Sequence, residues 1–269
     1  MRAWIWAAFA VTAVTGHAGA ARAATICTIL TDAATGVRLA AQGDCDRRVT
    51  PASTFKIAIA LMGYDDGFLK DEHSPKLPFE KGYPSWVPAW KADQDPTSWI
   101  ANSVVWYSQQ VTQHLGVEKF DLYIRAFGYG NRDGSGDPGK NNGLTRAWLS
   151  SSLEISPVEQ IEFLRALTTG KLPVSRHARD MTAAVTALGT LPGGWDLHGK
   201  TGTGPFRKAD GSPDQNHTYG WFVGWAVRDG RTVVFARLVE EKGRRVTMTA
   251  GRSTRDAMIR ELPFLLPTR

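Results

Sequence analysis

The chain has 269 residues, of which 42% are hydrophobic and 22% charged, and it carries a formal net charge of +6. That length suits one large domain or two small ones with a substantial core, and there is no internal repeat or low-complexity run. The basic excess suits anionic ligands in general, but no Lys/Arg cluster lies along one expected face, which argues against nucleic acid as a partner.

In chain order, residues 1–23 read as a secretory signal. Arg2 supplies a positive start, and the apolar run from Ala3 to Val14 is shorter than the roughly 20 residues a membrane span needs. Ala21-Arg22-Ala23 fits a small-x-small cleavage site, with Ala18-Gly19-Ala20 as a second option. Cleavage after Ala23 removes Arg2 and Arg22 and no acid, so the net charge falls from +6 to +4. No other apolar stretch is long enough to span a bilayer. The expected mature domain is residues 24–269, exported and without a membrane span.

Two cysteines remain, Cys27 and Cys45. In an oxidising compartment an isolated pair of this kind is expected to form a disulfide. The histidines show no zinc-binding spacing, so no metal is expected.

"TICTIL" (25–30) has strand composition, and a turn at Thr35-Gly36 leads into a second strand. "PASTFKIAIALMGYDDG" (51–67) reads as a helix with Gly67 after its end. Residues 68–98 read as ordered loop. Helical signals dominate from Trp99 to Phe127. "NNGLTRAWLSSSLEI" (141–155) reads as loop. Ser156-Pro157 opens a helix whose Glu159 completes a capping box. Two β-rich runs in 217–241 flank Asp229-Gly230, a type I′ hairpin turn. "STRDAMIREL" (253–262) closes the chain as a helix. The expected fold is α/β of the α+β kind: an antiparallel sheet built from the two chain ends, with a helical region inserted between them.

Gly194 to Thr201 satisfy the phosphate-loop pattern G-x-x-x-x-G-K-[ST]. That motif needs an apolar strand before its glycines and a helix after its Lys-Thr. Here Pro192 and two glycines break the preceding stretch, and Gly202, Gly204 and Pro205 stop any helix that would follow. Read as a strand, "LHGKTGT" presents the Lys200 cation and the Thr201 hydroxyl, and Gly202 lets a ligand approach the backbone. This suits a carboxylate-bearing substrate lying along a strand edge.

"STFK" places Ser53 and Lys56 at i and i+3, where side chains meet on one helix face. Ser53 lies in the first turn, whose free N–H groups can stabilise an oxyanion. The helical neighbours of Lys56 include no carboxylate. An apolar, unpaired lysine has a lowered pKa and can act as a base toward serine. It can also add carbon dioxide to give an anionic carbamate, a stronger base.

Four short motifs follow one another in order: Ser53-x-x-Lys56, Ser103-Val104-Val105, Tyr129-Gly130-Asn131 and Lys200-Thr201-Gly202. With "PASTFKIA", "SVVWYSQ", "FGYGN", "AWLSSSLEISPVEQIEFL" and "GKTG…GWFVGW", the chain resembles the class D (OXA-type) serine β-lactamases over nearly all of residues 24–269. The resemblance implies a β-lactamase/transpeptidase-like fold and hydrolysis of the β-lactam amide through a serine acyl-enzyme, with antibiotic resistance as the outcome. It implies a periplasmic location, a small-molecule β-lactam as the partner, and no cofactor beyond the carbon dioxide that carboxylates Lys56. Ser53 is then the nucleophile, and N-carboxylated Lys56 the base for acylation and deacylation. Ser103 relays a proton toward the lactam nitrogen. Trp148 donates its indole N–H to the carbamate, and Val105 walls Lys56. Lys200 and Thr201 hold the substrate carboxylate beside Gly202. The backbone N–H groups of Ser53 and Thr203 form the oxyanion hole, and Arg255, or else Arg252, completes the carboxylate site. Tyr129-Gly130-Asn131 shapes a turn.

S-V-V in place of S-D-N, with no E-x-x-L-N, sets the chain apart from class A enzymes. The polar segment 203–218 is longer than in many members and reads as a loop bordering the site. A non-hydrolytic β-lactam sensor or a penicillin-binding domain of the same fold is the alternative, and turnover separates the two.

Overall fold

The computed structural model describes residues 22–243 and 248–267. Six strands form one antiparallel sheet in the order β2-β1-β6-β5-β4-β3. The strands are β1 (Arg22–Asp32), β2 (Arg38–Gly43), β3 (Ala187–Leu191), β4 (Trp195–Arg207), β5 (Pro213–Arg228) and β6 (Arg231–Lys242). The N-terminal hairpin β1-β2 docks on β6, so both chain ends build one sheet and the inserted region is helical, as expected.

The signal assigned to residues 1–23 lies outside the described residues except for its last two. Arg22 and Ala23 are already paired in β1, opposite Lys242 and Glu241. Cys27 and Cys45 are joined, with Cα atoms 5.0 Å apart. The bridge ties β1 to the segment leaving β2.

A 3-10 turn (Ala52–Phe55) runs into α1 (Lys56–Asp65). Residues 68–98 are mostly loop, with a short 3-10 turn at Pro88–Lys91 and the start of α2 (Pro96–Asn102) at their end. A capping box of Asp95 and Ser98 opens α2. Next comes α3 (Val105–Ala126), broken at Gly116, where φ is 74°. The expected loop 141–155 contains one helical turn, α4 (Gly143–Arg146). Ser156 and Glu159 form the anticipated capping box of α5 (Pro157–Thr168). The sequence reading passed over α6 (Arg176–Val185) and β3, and α7 (Ala250–Leu265) is longer than expected.

Asp229 and Gly230 have positive φ (51° and 76°), as a type I′ turn between β5 and β6 requires. β5 is apolar on both faces, as burial on both sides demands. Trp221, Val223 and Trp225 pack in a core with Phe55, Ile59 and Trp148, while Phe222 and Ala226 pack with Met258 and Leu262 of α7.

One expectation needs correction. Residues 203–218 are mostly strand, because β4 continues to Arg207 and β5 begins at Pro213. Their backbone is paired across the β4-β5 ladder, from Thr203 opposite Gly220 to Arg207 opposite Pro213, and Phe206 packs there against His217 and Tyr219.

Candidate active site

Ser53 sits in the 3-10 turn before α1, half-buried. The residue before it, Ala52, has φ 49°, a left-handed conformation uncommon for a residue with a Cβ. Thr54 braces the turn. Its hydroxyl donates to the Pro51 carbonyl (2.7 Å) and accepts from Gln160 Nε2 of α5 (3.1 Å). Behind the turn, Trp221 Nε1 donates to the Thr50 carbonyl (3.1 Å).

Lys56, the first residue of α1, is fully buried. Its Nζ donates to Ser53 Oγ at 3.3 Å. Burial, aided by the charge of Lys200, pushes its pKa well below the ordinary lysine value. Burial thereby favours the neutral amine over the ammonium, one helical turn from the serine.

Ser103 caps the end of α2 with φ 57° and ψ 39°, a second left-handed non-glycine residue in the site. This turn aims its hydroxyl at β4, where it accepts from Lys200 Nζ at 3.1 Å. Val104 and Val105 after it are buried, so the bend is held by packing on its C-terminal side.

In β4, Lys200 is nearly buried and also donates to the Thr201 carbonyl (3.3 Å). Burial first, then the charges of Arg255 and Arg252, lower its pKa to about 7. β3 pairs with β4 only between Trp195 and His198. The Gly199 N–H still donates to the Thr186 carbonyl (3.0 Å), and beyond it the outer edge of β4 has no paired strand among the described residues, which leaves backbone groups for a ligand.

Gly202 is required by crowding. A Cβ there would stand 2.8 Å from the Pro51 carbonyl oxygen and 3.1 Å from Thr54 Cγ2. On the other side, a Cβ on Gly251 of α7 would meet the Gly202 carbonyl oxygen at 2.3 Å. The serine turn, β4 and the start of α7 are thus packed backbone to backbone. Thr203 Oγ1 accepts from the Gly251 N–H (2.8 Å), which fixes β4 to the start of α7 one residue beyond Gly202.

Thr201 and Arg255 line one cavity together with Lys200. Arg255 is also held by its neighbour Asp256, with Nε and Nη2 each 2.8 Å from one carboxylate oxygen, a partner the sequence reading missed. Arg252 is exposed at the start of α7. The geometry therefore favours Arg255 over Arg252 beside Thr201.

Trp148 is fully buried, its ring 5.7 Å from that of Phe55, the residue before Lys56. Its Nε1 has no hydrogen-bond partner among the described residues. A buried donor of this kind marks a place where an acceptor belongs. The segment carrying it is pinned by Asn131, which bonds the Glu154 backbone through N–H (2.9 Å) and Oδ1 (3.0 Å) and the Ser152 carbonyl through Nδ2 (2.8 Å). At Gly130, φ is 53° and a Cβ would stand 2.0 Å from the Glu154 carbonyl oxygen. The Tyr129-Gly130-Asn131 turn therefore supports the site from outside it. Among the described residues no cluster of His, Cys, Asp or Glu could hold a metal ion, and no helix is long and apolar enough to cross a membrane.

Ser53 with Lys56 and Ser103 with Lys200 thus form two hydrogen-bonded pairs, near enough to each other for the Lys200 charge to act on Lys56. Trp148 packs on Phe55, Gly202 on Pro51 and Thr54, and Thr203 on Gly251, Val105 is buried, and Thr201 and Arg255 share a cavity with Lys200. The sequence reading did not include the braces Gln160, Thr50 and Gly251, whose roles depend on neighbours far away in the chain.

Known proteins share both sequence and fold. Residues 26–262 match the penicillin binding protein transpeptidase domain family. The β-lactamase OXA-9 of Klebsiella pneumoniae is 46% identical over 239 residues, covering 88% of this chain and 87% of that one. The β-lactamase OXA-1 of Escherichia coli is 39% identical over 210 residues, covering 77% and 73%. The crystal structure of the class D β-lactamase OXA-427 superposes with a TM-score of 0.84 at 46% identity, covering 89% of this chain and 99% of that one. The chain belongs to the class D β-lactamases, within the penicillin-binding transpeptidase family.

Proposed function

We propose that this protein hydrolyses β-lactam antibiotics through an acyl-enzyme on Ser53, with Lys56 carboxylated by carbon dioxide as the general base. The observation that carries this reading is the fully buried Lys56 amine, 3.3 Å from Ser53 Oγ. A neutral amine adds carbon dioxide with loss of a proton, and the resulting carbamate supplies an anionic acceptor. The unpartnered indole N–H of Trp148 is the donor such an anion needs in a buried site.

The base at Lys56 takes the proton of Ser53 Oγ as the oxygen attacks the lactam carbonyl carbon. The backbone N–H groups of Ser53 and Thr203 receive the developing oxyanion. The lactam C–N bond then breaks, and its nitrogen takes a proton through Ser103, which Lys200 contacts at 3.1 Å. Lys200, Thr201 and Arg255 hold the substrate carboxylate. In deacylation the base at Lys56 deprotonates water, the ester C–O bond breaks, and Ser53 regains its proton. Residues 1–23 act as an export signal that delivers the enzyme to the periplasm.

A second reading is a receptor that acylates and stays acylated. The Regulatory protein BlaR1 of Staphylococcus aureus is 28% identical over 191 residues, though this chain covers only 30% of it. Nitrocefin turnover decides. Many turnovers per molecule, lost on removing carbon dioxide and recovered with bicarbonate, support the enzyme. A single stoichiometric burst supports the receptor.

A further inference from the structure

The inner face of α5 holds one polar side chain that packing alone does not call for. Gln160 is fully buried, in a helix whose other buried residues include Ile161, Phe163, Leu164 and Leu167. A buried amide costs stability unless it is hydrogen-bonded, and a leucine fills the same place with no polar group to satisfy. Gln160 Nε2 donates to Thr54 Oγ1 at 3.1 Å, and Thr54 is itself fully buried. A hydroxyl has a single proton. With Gln160 donating to its oxygen, the Thr54 O–H is committed to the Pro51 carbonyl at 2.7 Å. The Thr54 backbone N–H reaches the same carbonyl at 3.1 Å. One carbonyl thus closes the chain around the two residues between, Ala52 and Ser53.

Those two residues need holding. Ala52 has φ 49°, and such backbone in a residue with a Cβ persists only where its surroundings over-determine it. The peptide between Ala52 and Ser53 supplies the Ser53 N–H, an oxyanion donor of the mechanism above, so the Ala52 torsions aim that donor. They also carry Ser53 Oγ to its place 3.3 Å from Lys56 Nζ. We propose that Thr54 and Gln160 are positioning residues for acylation: Gln160 acts through the Thr54 hydroxyl to hold the Ala52–Ser53 peptide in its left-handed turn. The amide is retained in the core for this purpose and not for stability. This role rests on the acyl-enzyme reading above.

Stopped-flow acylation by nitrocefin, with thermal unfolding of the same variants, tests it. Gln160→Leu is expected to slow acylation roughly tenfold while the melting temperature stays level or rises. Thr54→Val removes the hydroxyl and is expected to slow acylation roughly 10²-fold. Thr54→Ser keeps the hydroxyl and is expected to recover roughly tenfold of that loss. Because Gln160 acts only through Thr54, Gln160→Leu added to Thr54→Val is expected to slow acylation no further. The dissociation constant of the encounter complex should stay level throughout, since Lys200, Thr201 and Arg255 are untouched. Gln160→Leu alone decides the matter where Thr54→Val does not fold. A folded Gln160→Leu that acylates at the wild-type rate, or a Gln160→Leu effect that is as large without the Thr54 hydroxyl as with it, overturns the proposal. A wild-type protein that forms no acyl-enzyme at all overturns the catalytic reading instead.

Discussion

The Lys200 ammonium donates to the Ser103 hydroxyl across 3.1 Å, joining the sheet to the turn that ends α2. Burial and the nearby Arg255 and Arg252 charges hold the Lys200 pKa at about 7. This predicts that kcat/KM falls as pH rises above about 7, because a neutral Lys200 no longer attracts the substrate carboxylate. A bound carboxylate raises that pKa, so kcat persists to higher pH. Saturating bicarbonate places a carbamate anion near Lys200 and shifts the falling limb upward. For stability the sign is opposite. The penalty of keeping Lys200 charged in the fold is full below about 7 and gone above its ordinary value of 10.5, so this group's contribution rises with pH between them. pH–rate and pH–melting profiles, compared with Lys200→Ala, check both.

Trp148→Phe keeps a buried ring but removes a buried indole donor that has no partner among the described residues. The expected loss of kcat is roughly 10²–10⁴-fold, the contribution of a general base. Acyl-enzyme should accumulate, visible by mass spectrometry, and far more bicarbonate should be needed for residual activity. A merely structural role would lower the melting temperature and leave the bicarbonate requirement unchanged.

Gly202→Ala places a methyl group 2.8 Å from the Pro51 carbonyl oxygen. The obstacle is backbone, so the serine turn must move away from β4. The oxyanion donors then separate, and k2, the acylation rate constant, is expected to fall at least roughly 10²-fold, the effect of losing one such donor. Overpacking costs about 1–3 kcal/mol of stability. Stopped-flow acylation and thermal unfolding measure the two effects separately.

Cys27 and Cys45 close a loop with a sequence separation of 18. β2 pairs only with β1, so this bridge is its principal anchor beyond the ladder. Cys45→Ser should cost about 3 kcal/mol, or about 6–12 °C in melting temperature for a domain of this size. The bridge belongs to the β1-β2 hairpin, so kcat/KM on a penicillin should change little at temperatures where the variant is folded.

Much of this site was legible because its chemistry depends on local spacing. Ser53 and Lys56 meet because they are three residues apart on one helical turn, and Ser156 with Glu159 caps α5 for the same reason. The Asp229-Gly230 turn follows from the φ each residue tolerates. Other features were not legible. Ala52 and Ser103 adopt left-handed backbone because tertiary packing holds them there, and neither residue type prefers it. Gln160 reaches Thr54 across 106 positions in sequence. Residues 203–218 looked like loop because their polarity hides a paired ladder in which Phe206 packs on His217 and Tyr219. α6 is polar and strongly one-sided, and its cap, Ser175 accepting from the Ala178 N–H, was present in the sequence but unread.

The proposed mechanism depends on the chemical state of Lys56, and carbon-13 NMR of the enzyme in labelled bicarbonate reads that state directly. The predicted result is a carbamate resonance that rises and falls with activity as carbon dioxide is supplied or removed, and that is absent from Lys56→Ala. A fully active enzyme with no such resonance, indifferent to the removal of carbon dioxide, would contradict it.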